Sequence, residues 1–179
     1  MTKTEPWQTA EMPGPKRAAV ITQPEVAVAV IKRAKRPLLI VGQGAAEVEL
    51  EGRTLIEYLI DLARSARIPV VASGSVAGEF LKRGFKPAGS LPAVDVGNRL
   101  TDAGWKGLDG EGPYDVALFV GLPYAMESTI LSGLKHFAPW VKTITLDNVY
   151  QPHATWSFSN ISQKNWIKYL KTLIENFAG

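Results

Sequence analysis

The residues best suited to chemistry are small ones, in Gly42-Gln43-Gly44, Ser73-Gly74-Ser75, Gly121-Leu122-Pro123 and Asp147-Asn148. Each group follows a run of branched apolar residues, the position at which an open parallel sheet takes its ligands. Small residues there let a backbone come close to a nucleotide, and Asp147 offers a carboxylate to a ribose. Gly42, Gln43, Gly44, Ser73, Gly74, Gly121 and Asp147 are therefore the candidate cofactor-binding residues. A dinucleotide fingerprint needs a third glycine in G-x-G-x-x-G, and that position holds Glu47. Glu47, Glu49 and Glu51 also crowd the entry to the next helix, where they oppose a pyrophosphate. On the plain structural alternative, Gly42 and Gly44 serve only a tight turn.

No residue is assigned a catalytic role. The chain has no cysteine, so it supplies no disulfide, thiolate nucleophile or cysteine-ligated cluster. Its two histidines, His136 and His153, leave little for a metal site, and none is expected. His136 falls in the last turn of a helix, where contact with the dipole explains it; His153 has no acid that sequence can assign to it. There is no G-x-S-x-G elbow, H-E-x-x-H pair or P-loop. Any redox role must therefore draw its centres from a partner or an organic cofactor. The formal charge of +3 is mild and its lysines and arginines are scattered, which argues against a nucleic-acid partner.

The elements that must position these groups follow an alternating pattern. Thr22 and Glu25 have the spacing of a capping box, with Pro24 in the first turn, and Val26, Val30 and Ala34 give a helical stripe. Pro37 to Gly42 reads as a strand buried on both faces. Leu55, Leu59, Leu62 and Ala66 mark a second helix, and Ile68 to Ala72 a second strand. Tyr114 to Gly121 is a third, followed by a helix carrying Met126, Ile130, Leu134 and Phe137. Val141 to Asp147 is a fourth strand. Ser162 caps a last helix in which Trp166, Leu170, Leu173 and Phe177 face inward. Such alternation predicts an α/β fold, a doubly wound, mostly parallel sheet with helices on both faces.

The 179 residues divide into an extended arm, 1–17, and a single domain, 18–179. Pro6, Pro13 and Pro15 break up the arm, which carries Trp7 and Met12. It either folds back as a tail or lies across another subunit with Trp7 as anchor. Nine of the sixteen glycines lie between Gly74 and Gly112, where only Ala93 to Ala103 reads as helical. Trp105, in the glycine-rich loop 104–112, is either a plug against the domain or a partner contact. The longest apolar stretches, Pro37 to Ala46 and Val116 to Met126, are too short to span a membrane. The start shows no apolar core after a basic region, so the chain is expected to be cytoplasmic.

Several segments together resemble a known family. The arm with Trp7, the Gly14-Pro15-Lys16 step, Ile31-Lys32-Arg33-Ala34-Lys35-Arg36-Pro37-Leu38-Leu39-Ile40-Val41-Gly42, Ile68 to Ala72, the Tyr114-Asp115-Val116 strand and the closing helix are similar to epsilon subunits of the archaeal acetyl-CoA decarbonylase/synthase complex, in its carbon monoxide dehydrogenase component. Lys35 to Gly44 is also similar to the central domain of thiamine-diphosphate enzymes. Both resemblances imply an NAD/FAD-binding-like sheet. The first implies a non-catalytic subunit of one-carbon metabolism, paired as alpha2-epsilon2 with an alpha subunit that carries nickel–iron–sulfur clusters. Its role would be to stabilise that subunit and to aid electron transfer between the clusters and FAD. Self-association is compatible with this. The alternative is a stand-alone FAD/NAD-binding domain.

Overall fold

Four branched residues between Pro37 and Gly42 leave no polar face, and the chain buries both sides of them. In the computed structural model, which describes residues 14–178, Leu38, Leu39, Ile40 and Val41 are wholly inaccessible. Each such side chain contributes about 1.5–3 kcal/mol. They form strand β2 (Pro37–Val41), preceded by β1 (Ala19–Ile21) and helix α1 (Pro24–Arg33). After β2 come α2 (Gly44–Glu47), a small hairpin of β3 (Glu49–Leu50) and β4 (Arg53–Thr54), and α3 (Leu55–Ala66). β5 (Val70–Ala72), α4 (Val76–Lys82), β6 (Gly89–Ser90) and α5 (Ala93–Leu100) lead to β7 (Val116–Val120). The chain closes with α6 (Tyr124–Phe137), β8 (Lys142–Thr145), β9 (Trp156–Phe158) and α7 (Gln163–Phe177).

Seven strands form one sheet in the order β1-β9-β8-β7-β2-β5-β6, every neighbouring pair parallel. This is the α/β doubly wound fold expected from the sequence. Alternate strand residues serve opposite cores, as the two-residue pleat requires. Leu39, Val41, Leu118 and Val120 pack with Ile31, Leu59 and Leu170, from α1, α3 and α7. Leu38, Ile40, Ala117 and Phe119 pack with Val96, Leu131 and Leu134, from α5 and α6. Among the described residues no helix is long and apolar enough to cross a membrane.

Several expectations need correction. Helix α1 is capped by Gln23, with Pro24 at its first position, and no side chain caps it. Thr22 instead turns the chain out of β1, and its carbonyl accepts from the Tyr169 hydroxyl at 2.7 Å. A threonine–glutamate capping pair does form at α3, where the Glu57 carboxylate accepts from the Thr54 N–H and hydroxyl, both at 2.7 Å. The glycine-rich middle holds a second helix, α4, across Gly78. Met126 and Phe137 are exposed on α6 while Ile130 and Leu134 are buried, and Phe177 is half-buried on α7. Ser162 caps α7 as expected, accepting from Asn165 N. Trp105 plugs the domain: its ring lies 5.5 Å from that of Tyr114. Trp7 and Met12 lie outside the described residues.

Candidate functional site: a cleft at the switch point

From the central pair β2 and β7, the chain runs outward in opposite directions, through β5 and β6 on one side and β8 and β9 on the other. The crevice beyond the C-terminal ends of β2 and β7 is therefore the switch point of the sheet, where open α/β folds bind ligands. A cleft of about 550 Å³ opens there. Its apolar walls come from Val48, Leu55, Leu122, Pro123, Val149 and Trp166; its polar lining includes Gln43, Glu47, Glu127, Asp147 and Gln151. Trp166 is held by its indole N–H, which donates to the Leu146 carbonyl at 2.7 Å.

The candidate residues are not all brought together. Gln43, Gly44, Gly121 and Asp147 line the cleft, whereas Gly42 lies behind it. Ser73 and Gly74 border a neighbouring hollow with Leu91, Pro92 and Met126. The Ser73 hydroxyl accepts from Ala93 N at 3.1 Å, so it fixes the start of α5.

The glycines serve one another. A β-carbon on Gly42 would stand 2.3 Å from the Gly121 carbonyl oxygen, and Gly121 itself has a φ of +73°. Gly42 N donates to the Val120 carbonyl and Gly44 N to the Gly121 carbonyl, both at 2.9 Å. Ala45 N and Ala46 N donate to Gly42 and Gln43 carbonyls at 3.2 and 3.0 Å. The Gly42, Gly44, Ala45 and Ala46 amides, which a phosphate-binding turn would aim at its ligand, are therefore committed to the loops.

The charged groups of the cleft are all acidic among the described lining residues. Asp147 accepts from Gly121 N through both oxygens, each at 3.1 Å. Burial raises its carboxyl to about 6, against the opposing pull of that N–H. Glu127, in the first turn of α6, is wholly buried, and its carboxyl pairs with the Asp147 carboxyl and the Thr145 hydroxyl. Burial first, and then the Asp147 charge, push it well above the usual carboxylate range. Gln151 donates its amide N–H to the Tyr124 carbonyl at 3.2 Å, leaving its own oxygen without a partner. Sequence reasoning missed Glu127 and Gln151. The signal for Glu127 was its place on the α6 stripe of Leu131 and Leu134, where an acid is out of keeping.

The histidines stay away from this cleft. His136 is exposed at the end of α6, and His153 lines a separate hollow with Lys16, Arg17, Lys135 and Lys142. Among the described residues no group of three or more metal-ligating side chains converges.

Comparison with known proteins gives this arrangement its context. The chain matches the family described as CO dehydrogenase beta subunit/acetyl-CoA synthase epsilon subunit over residues 1–174. It is 36% identical over 170 residues to the acetyl-CoA decarbonylase/synthase complex subunit epsilon of Methanothermobacter thermautotrophicus, covering 94% of this chain and 93% of that one. It is also 36% identical over 164 residues to subunit epsilon 1 of Archaeoglobus fulgidus, covering 89% and 85%. With subunit epsilon 1 of Methanosarcina barkeri it shares 34% over 151 residues, covering 84% and 85%. With a doubly wound sheet and a match that runs almost end to end, the chain belongs to the CO dehydrogenase beta subunit/acetyl-CoA synthase epsilon subunit family.

Proposed function

We propose that this chain is the accessory epsilon subunit of a cytoplasmic acetyl-CoA decarbonylase/synthase complex. There it stabilises an alpha subunit that carries the nickel–iron–sulfur clusters, in an alpha2-epsilon2 component. The observation that carries this reading is the family match across residues 1–174. The sequence agrees with it, because a chain without cysteine cannot ligate such clusters through thiolates. Purification of the chain from its own cells is the test. A large, metal-rich partner at near-equal stoichiometry is expected, and recovery of the chain only as a free monomer would refute the role.

A second reading places FAD at Gly42, Gln43, Gly44, Ser73, Gly74, Gly121 and Asp147, aiding electron transfer to and from the partner's clusters. The position and apolar walls of the switch-point cleft favour it. The described residues do not fit the diphosphate of FAD or NAD, however. No lysine or arginine lines the cleft among them, Glu47, Glu127 and Asp147 do, and the Gly42, Gly44, Ala45 and Ala46 amides are already bonded. The accessory role is therefore preferred without a flavin. Calorimetry of the isolated chain with FAD, NAD and NADP should show no saturable heat; binding, or a yellow recombinant protein, would restore the flavin reading.

A further inference from the structure

The floor of the switch-point cleft is richer in hydrogen-bond acceptors than in donors. The Gln151 amide oxygen is buried without a partner, and the Glu127 carboxyl has only the Thr145 hydroxyl and a proton shared with the Asp147 carboxyl to pair with. Glu127 and Gln151 line the cleft itself, at 0% and 2% exposure. Leaving a buried polar group unpaired destabilises the fold, and a charged one more so. A set of acceptors this poor in donors is completed by a ligand rich in them.

Charge narrows the choice. Glu127 stands beside Asp147, which follows β8; Glu47 at the end of α2 and Tyr124 line the same cleft, and no described lysine or arginine does. A diphosphate would meet acids and no base there, whereas a cation would relieve the repulsion between Glu127 and Asp147. Size narrows it further. A bare metal ion would leave most of the 550 Å³ empty and the walls of Leu55, Leu122 and Trp166 uncovered. An apolar stem ending in a flat, donor-rich cation covers the walls and pairs with the floor.

We propose that the switch-point cleft binds an organic cation, a guanidinium or ammonium on an apolar stem, with Glu127 and Gln151 as its acceptors. Glu127 gives up its proton to solvent as the cation enters, so binding strengthens as pH rises. The cation is either a basic side chain of a partner subunit or a free small molecule, and the recognition chemistry is the same.

The experiment is calorimetry of the full chain with n-butylguanidinium, beside its uncharged isostere n-butylurea and adenosine diphosphate. Saturable binding is expected for the guanidinium alone, at least about tenfold tighter at about pH 8 than at about pH 5. Glu127→Gln should weaken it about tenfold, given the strength of charge-assisted hydrogen bonds. The pH profile of the unaltered chain makes the same test should that variant fail to fold. Repeating the titration on the purified complex separates the sources: exclusion of the probe points to a partner side chain, and undiminished binding to a free ligand. Absence of saturable binding, equal affinity for the urea, tighter binding of the diphosphate or a flat pH profile would each overturn the proposal. The inference rests on the cleft alone, so it and the accessory role, judged by co-purification, can fail separately.

Discussion

At the scale of single residues, the tightest constraint lies between two backbones rather than around a ligand. Any side chain on Gly42 must displace the Gly121 carbonyl, which is itself bonded to Gly44 N and cannot swing away. Gly42→Ala should cost at least about 1–3 kcal/mol, the range for overpacking. Gly133 offers the control, since a β-carbon there meets nothing within 4 Å and the residue sits inside α6. Gly133→Ala should stabilise by roughly 0.5–1 kcal/mol. Urea midpoints measure both, and equal midpoints for the two variants would contradict the interlocked-loop account. The paired acids of the cleft, Glu127 buried and Asp147 half-buried, make a second prediction. Asp147 ionises at about 6 in the folded chain, against about 4 when unfolded. Between those values the folded state holds a proton that the unfolded state releases, so this group's contribution is complete below the window and lost as pH rises through it. Glu127, raised in the same direction, extends the loss upward. Asp147→Asn keeps an oxygen for Gly121 N but has no proton to lose. Its melting temperature should vary less than that of the parent across the window, and should exceed it on the alkaline side; parallel curves would show that the carboxyl is not perturbed.

At the scale of elements, one acid ties together the starts of three strands. The Asp115 carboxylate accepts from Lys35 N and Arg36 N, each at 2.8 Å, just before β2. Its own carbonyl accepts from Lys142 N at the head of β8, and its N–H donates to the Arg36 carbonyl. Asp115→Ala strands two amides at the sheet's lower edge and should cost about 1.5–3 kcal/mol, as for hydrogen bonds to a charged group. Asp115→Asn keeps an acceptor and should cost less; an alanine variant with an unchanged denaturation midpoint would rule the tie out. Elements of this kind were legible where periodicity had room to repeat. Leu55, Leu59 and Leu62 announce α3, and the four branched residues after Pro37 announce a central strand. The three-residue strands β1 and β9 offer too few positions for a pattern, and Gly78 disguises α4 as more of the loop around it. Thr22 and Glu25 misled because capping spacing says nothing of where the previous strand ends. The cleft was legible by place, because small residues mark the strand ends. Its chemistry was not, because Glu127 and Gln151 reach it from a helix turn and a loop whose approach only the tertiary fold decides.

At the scale of the whole molecule, the two cores share one sheet and stand or fall with it. β2 and β7 lie at its centre, covered on both faces, with their strand residues from Leu38 to Val41 and from Ala117 to Val120 fully buried. The edges are thinner: β6 contributes only Gly89 and Ser90, and β1 only three residues, of which Ala19 is exposed. Opening β2 from β7 exposes both cores at once, while an edge strand can leave with little apolar surface uncovered. The two faces should therefore unfold in a single transition, followed equally by Trp166 on one and Trp105 on the other. Native-state hydrogen exchange should find the slowest amides in β2 and β7, at the free energy of global unfolding, with β1 and β6 faster. The ranking has a consequence for assembly. A partner that grips an edge of the sheet would slow β1 or β6 on binding and leave the centre unchanged. One that occupies the switch-point cleft would instead protect the amides of residues 42–46 and Gly121, which lie in its lining or next to it. Exchange measured on the free chain and on the purified complex distinguishes these two outcomes. Uniform protection across all seven strands in the free chain would defeat the central-strand argument on which both depend.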